Sequence, residues 1–159
     1  MRLALYQPDI APNAGTIIRL CACLGVALDV IEPCGFVWSD RKLRRAGMDY
    51  VEHARVARHN SWDTYRHSRE SGRLVLLTTK ADLSYADFAF RADDTLMLGR
   101  ETAGVPDDVH DAADARLRVP MMAGARSLNV ALAAAMVLGE ALRQTGGLPA
   151  MAKDQGEDG

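Results

Sequence analysis

Between Leu117 and Gln144 the chain reads LRVPMMAGARSLNVALAAAMVLGEALRQ. A β-like run ends at Val119-Pro120, small residues make a loop from Met121 to Arg126, and Ser127-Leu128-Asn129 opens a long Ala/Leu helix. A strand, a glycine-containing loop and a helix start bring free N–H groups to one place, which suits a small polar ligand. Ser127 is by type a good N-cap, and Asn129, one turn inside, carries an amide that can point at such a ligand. An ordinary capped core helix explains the same residues. Arg19 is a second candidate. In a helix from Thr16 to Leu24, Ile17, Leu20, Cys21 and Leu24 form the apolar stripe, and Arg19 lies among Gly15, Ala22 and Cys23. These neighbours are small, so a partner can approach closely; a solvated arginine is the plainer alternative.

Several chemistries are excluded by residue type. Gly99 and Gly104 have P-loop spacing, but Val105-Pro106 stands where Lys-Ser/Thr is required. No G-x-G-x-x-G follows a strand, and no G-x-S-x-G elbow exists for acyl hydrolysis. His53, His59, His67 and His110 lack zinc-ligand spacing, so no metal is expected.

The elements that must position these residues alternate. Strands are expected at Leu3–Tyr6, Ala27–Ile31, Leu74–Thr79, Thr95–Leu98 and Leu117–Pro120. Helices are expected at 16–24, at 38–50 behind a Ser39 or Asp40 cap, at 61–71, at 107–113 and at 127–144. Residues 80–90 read as irregular or weakly helical. This pattern is α/β with a mostly parallel sheet flanked by helices. Ligands in such folds bind at the C-terminal strand ends. The loops there are Gln7–Gly15, Thr78-Thr79, Gly99–Pro106 and Met121–Ser127, and the site is expected to draw on all four.

A chain of 159 residues, 48% hydrophobic and 25% charged, is read as one domain over 1–148 with a disordered acidic tail over 149–159. Net charge is −2, so a nucleic-acid partner needs a local basic patch. Arg41, Lys42, Arg44 and Arg45 supply one, continued by His53, Arg55, Arg58 and His59 and flanked by Trp38 and Tyr50. Cations beside aromatics suit phosphates and unstacked bases, although a solvated basic helix face has the same composition. Cys21, Cys23 and Cys34 are an odd number without a secretory signal. A reducing, cytoplasmic location follows, with Cys21 and Cys23 as small core residues. No window approaches a membrane span.

Three segments together resemble a known superfamily. They are Asn13-Ala14-Gly15-Thr16-Ile17-Ile18-Arg19, Leu98 through Pro106, and Val119-Pro120-Met121 continuing to Ser127-Leu128-Asn129-Val130-Ala131. Their order and spacing resemble the three motifs of the SPOUT RNA 2′-O-ribose methyltransferases, across residues 2 to 148. Tyr6-x-Pro8-x-Ile10-x-Pro12-Asn13-x-Gly15, Ile31-Glu32-Pro33-x-Gly35-Phe36, Leu43-Arg44-Arg45-Ala46-Gly47-x-Asp49-Tyr50 and Leu77-Thr78-Thr79-Lys80 resemble the small bacterial subgroup acting on the tRNA wobble nucleotide.

The resemblance implies an α/β sheet with a deep C-terminal trefoil knot, the SPOUT fold. It implies S-adenosylmethionine as cofactor, bent and held by backbone at Leu77, Thr78, Gly99, Val119 and Ser127, with Met121 and Leu128 adjacent. It implies a homodimer in which the partner completes each site. The substrate would be the 2′-OH of C34 or a modified U34, chiefly in leucine tRNAs, with Arg41, Lys42, Arg44 and Arg45 on the anticodon stem-loop. The catalytic set would be Asn13, Arg19, Glu101, Ser127 and Asn129. Guanidinium keeps its proton, so Arg19 is expected to grip a phosphate and stabilise the nascent alkoxide rather than act as a base. Glu101 is expected to orient Asn13 or Arg19, or to form a structural salt bridge; Asn129 is expected to bond the cofactor loop or Asn13. Arg100 departs from the proline of many relatives. Action at another tRNA or rRNA position, and an inactive RNA-binding module, are the alternatives.

Overall fold

A computed structural model describes residues 1–39 and 54–151. The run Arg41, Lys42, Arg44 and Arg45, its expected helix, and residues 152–159 of the tail lie outside the described residues. Seven strands form one parallel sheet in the order β3-β2-β1-β6-β4-β7-β5. They are β1 (Arg2–Tyr6), β2 (Ala27–Ile31), β3 (Val56–His59), β4 (Leu74–Leu77), β5 (Leu83–Ser84), β6 (Thr95–Leu98) and β7 (Ala115–Arg118). The helices are α1 (Ala11–Leu24), α2 (Trp62–Ser68), α3 (Asp107–Asp111) and α4 (Val130–Thr145).

The two-residue side-chain period of the strands divides the core in two. Leu3, Leu5, Leu28, Val30, Leu96 and Leu98 face one side and pack with Ile17, Ile18 and Cys21 of α1 and Val137, Leu138 and Ala141 of α4. Ala4, Tyr6, Ile31, Leu76 and Met97 face the other and pack with Trp62, Tyr65 and Val109. Burial on both faces explains why β2 and β6 are apolar almost without interruption. β1 pairs with β2 on one side and β6 on the other, and β4 continues beyond β6. The strand order reverses there, at the kind of switch point that opens a crevice.

Several elements differ from the sequence expectation. α1 starts at Ala11, not Thr16, because Pro12 falls in the first turn, where its missing N–H costs nothing. This moves Asn13 from a loop onto a helix. β4 ends at Leu77, β7 ends at Arg118, and α4 begins only at Val130. β3 and β5 were not expected, and neither carries a continuous apolar run. Cys23 is exposed, which corrects its placement in the core; Cys21 is buried. Arg58 pairs with Glu32 and lies 5.2 Å over the Trp38 ring, while His59 sits 2.8 Å from Asp29. Arg55 donates to the Gly25 carbonyl at 2.6 Å. These three side chains join β2 and β3 to their surroundings, so they do not simply extend a solvated RNA-facing patch. No helix among the described residues is long and apolar enough to cross a membrane.

Leu96 is wholly buried in β6, against the α1/α4 side of the core. Leu96→Ala is expected to cost about 3 kcal/mol of unfolding free energy, read by urea denaturation.

Candidate functional site

A cleft of about 550 Å³ lies at the C-terminal ends of β1, β6, β4 and β7. Its size is that of an ordinary small-molecule site. The structure brings Asn13, Leu77, Thr78, Gly99, Glu101, Val119, Met121, Ser127, Leu128 and Asn129 to its walls. Arg19 is not among the lining residues; it stands exposed on α1, on a stripe with Pro12, Thr16 and Cys23.

Three polar side chains form a relay across one wall. Glu101 accepts from the Asn13 amide at 3.2 Å, Asn13 accepts from the Asn129 amide at 3.0 Å, and Asn129 accepts from the N–H groups of Ala131 (2.8 Å) and Leu132 (3.4 Å). The direction of donation is forced at both ends. A carboxylate only accepts, and the first N–H groups of a helix only donate. Both asparagines must therefore point their NH2 groups towards Glu101. The second oxygen of Glu101 accepts from the Asp9 N–H at 2.8 Å. One carboxylate thus ties together the loop after β1, the first turn of α1 and, through Asn13, the start of α4.

This arrangement corrects one expectation. Ser127 does not cap the C-terminal helix; Asn129 does, with non-helical backbone at φ −53 and ψ 132. A cap accepts from N–H groups two and three residues on, and only Asn129 has that relation to the helix as formed. Ser127 remains on the cleft wall, in an exposed loop.

The 99–104 loop, which carries Glu101, is shaped by two glycines. Arg100 and Gly104 exchange backbone hydrogen bonds at 2.9 Å in both directions. A Cβ on Gly99 would stand 2.7 Å from the Gly104 carbonyl carbon, and Gly104 sits at φ +67. No other residue type fits the first position without displacing backbone, and the second favours glycine. Backbone is thereby exposed to the cleft with no side chain in the way.

Asp9, Arg100 and Thr102 form a clamp for which the sequence offers no signal, since partners some ninety residues apart have no periodicity to betray them. Asp9 Oδ1 accepts from Arg100 Nε (3.2 Å) and Nη2 (3.1 Å), and Oδ2 accepts from the Thr102 N–H (3.3 Å) and its hydroxyl. The Thr102 hydroxyl, then the Arg100 guanidinium and the Thr102 N–H, hold the Asp9 carboxyl below the usual carboxylate range, against the effect of burial. Gln7, at the exit of β1, takes φ 45, a left-handed conformation that costs a non-glycine residue about 1 kcal/mol. Its N–H donates to the Ile31 carbonyl at 2.8 Å. Thr79 lines the cleft with its expected loop, and Lys80 and His110 also line it without having been expected there. Among the described residues no group of His, Cys, Asp and Glu could hold a metal ion.

A sequence profile described as the SpoU rRNA Methylase family matches residues 1–139. A protein of Beijerinckia indica named tRNA (cytidine(34)-2′-O)-methyltransferase is 61% identical over 148 residues, 92% of each chain. A protein of the same name from Escherichia coli K12 is 42% identical over 156 residues, 97% of this chain and 99% of its own. A solved structure described as concerning 2-OH methylation of C/U34 on tRNA superposes with a TM-score of 0.85 at 38% identity, covering 90% of this chain and 94% of that one. The SpoU methyltransferase AviRb of Streptomyces viridochromogenes, solved with the cofactor AdoMet, gives 0.78 at 28% identity, covering 91% of this chain and 60% of that one.

The double duty of Asn129 separates by substitution. Asn129→Ala is expected to lower the unfolding free energy by about 1 kcal/mol, and Asn129→Ser, which keeps a capping oxygen, by much less. Chemical denaturation of the two variants measures the difference.

Proposed function

The chain belongs to the SpoU methylase family, and from that premise we propose that it transfers a methyl group from S-adenosylmethionine to the ribose 2′-OH of nucleotide 34 in tRNA, C34 or a modified U34. The observation that carries this is the 61% identity, over 92% of both chains, to a protein named for methylation at that position. The cleft supports it. Its backbone-rich walls at Leu77, Gly99 and Val119 suit a nucleoside, and Asn13, Glu101 and Asn129 give it a polar lining as well. AdoMet-bound relatives support the choice of cofactor.

S-adenosylmethionine, when bound, supplies an electrophilic methyl on a sulfonium. Passage of that methyl to O2′ would leave a neutral thioether, and the hydroxyl proton would go to water or to a phosphate oxygen of the RNA. The tasks left to the protein are holding the donor in line, excluding water and stabilising charge on O2′. We assign the first to the 99–104 loop and to residues 119–129, which the Glu101–Asn13–Asn129 relay fixes relative to α1. We assign charge stabilisation to Arg19.

The position of Arg19 outside the cleft lining supports a homodimer in which one protomer offers Arg19 to its partner's cleft. The surface for it is at hand: Leu132 (57% exposed) and Met136 (44%) are exposed on α4, and Pro12, Thr16, Arg19 and Cys23 form an exposed stripe on α1. α1 and α4 pack on the same face of the sheet and against each other. We further propose a C-terminal trefoil knot. It is supported by β7 lying between β4 and β5, the strand that directly follows β4 in sequence, and by residues of the 119–129 segment lining the same cleft as the 99–104 loop. Leucine tRNAs as substrate, the anticodon stem-loop as the ligand of Arg41, Lys42, Arg44 and Arg45, and a cytoplasmic location complete the proposal.

Methylation of unmodified tRNA with labelled S-adenosylmethionine, followed by mapping of the product nucleotide, tests it. Label on the ribose of nucleotide 34 is expected. Label on a base, at another tRNA position or only in rRNA overturns the assignment, and cofactor binding with no transfer indicates an RNA-binding module. In the same assay Arg19→Lys keeps the charge but loses the fork, and kcat is expected to fall on the order of 100-fold. Full activity would show that guanidinium geometry is irrelevant.

A further inference from the structure

We propose that Asp9 is a positioning residue for the methyl transfer, acting through Arg100, Thr102 and Glu101 to set the wall against which the cofactor is held. This rests on the reading of the cleft as the S-adenosylmethionine site. Asp9 does not itself line the cleft; it works through Arg100, Glu101 and Thr102, which do.

Four donors from the 99–104 loop converge on its carboxylate, two on each oxygen: Arg100 Nε and Nη2 on one, the Thr102 N–H and hydroxyl on the other. Its backbone N–H donates in the reverse direction, to Glu101. Three consecutive residues of the wall, Arg100, Glu101 and Thr102, are therefore held by one residue of the β1 loop. Asp9 is itself backed from behind. A Cβ on Gly35 would stand 2.9 Å from Asp9 Cα, and the Gly35 N–H donates to the Pro8 carbonyl at 2.9 Å. The loops following β1, β2 and β6 are thus locked in register, with Asp9 between the other two.

The Asp9 side chain is 11% exposed and that of Arg100 40% exposed. An ion pair at such a surface adds little to global stability. Its effect falls instead on the geometry of residues 99–104. That loop has few other long-range anchors on its outer side: its own hydrogen bonds run between Arg100 and Gly104. Without the Asp9 carboxylate, the backbone N–H that sets the second oxygen of Glu101 is no longer anchored to Arg100 and Thr102, and the relay through Asn13 to Asn129 loses a fixed end.

Calorimetric titration of S-adenosylmethionine into the full chain tests this with wild type, Asp9→Ala, Arg100→Ala and the double variant. Asp9→Ala is expected to weaken cofactor binding about ten-fold or more, with KM for tRNA within about two-fold and kcat reduced. The double variant is expected to bind no worse than Asp9→Ala alone, because both remove one interaction. A purely structural role would lower the melting temperature and leave cofactor affinity unchanged. Affinity of Asp9→Ala within two-fold of wild type, or single effects that multiply in the double variant, overturns the proposal. If Asp9→Ala does not fold, Arg100→Ala and Thr102→Val carry the same readout: at least three-fold weaker binding supports the clamp, and parity with wild type rejects it. Failure of the wild type itself to bind S-adenosylmethionine refutes the cleft assignment instead, so the two failures are distinct.

Discussion

The Glu101 carboxylate is the contact on which the site depends. It accepts from the backbone of the β1 loop and from the first turn of α1, and through Asn13 and Asn129 its influence reaches the start of α4. Those segments are far apart in sequence and meet only at the switch point of the sheet. Hydrogen bonds to a charged acceptor contribute about 1.5–3 kcal/mol each, enough to choose one loop arrangement among several but not to hold the fold. The fold is held by the two apolar layers that α1, α4, α2 and α3 make on the sheet. Apart from Asn129, which also caps α4, stability and site geometry therefore rest on different residues, and a change at Glu101, Asn13 or Asp9 can disturb binding while the core stays intact.

The sheet prepares this contact by its strand order. Because β6 lies between β1 and β4, the loops leaving β1 and β6 emerge side by side. Backbone lets them approach closely, and the Asp9 and Glu101 carboxylates then tie them together: Gly99 and Gly104 close one loop on itself, and Gly35 admits the Asp9 backbone of the other. Side chains are left to orient, not to fill. This suits a site whose ligand is gripped by N–H and C=O groups, for which the walls must approach closely and stay in place.

The central strands were legible in the sequence because doubly buried strands read as apolar runs, and β2 and β6 have the bounds expected of them. The edge strands β3 and β5 were not, since a half-exposed strand such as Val56–His59 carries charge and no long apolar pattern. The start of α1 was misread because Pro12 looks like a loop residue although the first helical turn accepts it. At the site, the four loops were identified from their glycines, prolines and polar residues. The resemblance singled out Asn13, Glu101 and Asn129, which the structure brings into one relay. The capping role went to Ser127 in the sequence and to Asn129 in the fold, because residue type alone does not say where a helix begins. Asp9 was invisible: its partners are Arg100 and Thr102, and only the folded sheet makes them neighbours.

The central claim is that the Glu101–Asn13–Asn129 relay orders the walls of a cofactor cleft. Titration of S-adenosylmethionine into Asn13→Ala, compared with wild type at a temperature where circular dichroism shows both folded, tests it most directly. The account predicts binding at least ten-fold weaker in the variant, with unchanged secondary structure. Equal affinity would contradict it, because the middle link of the relay would then be dispensable for the cleft it is held to shape.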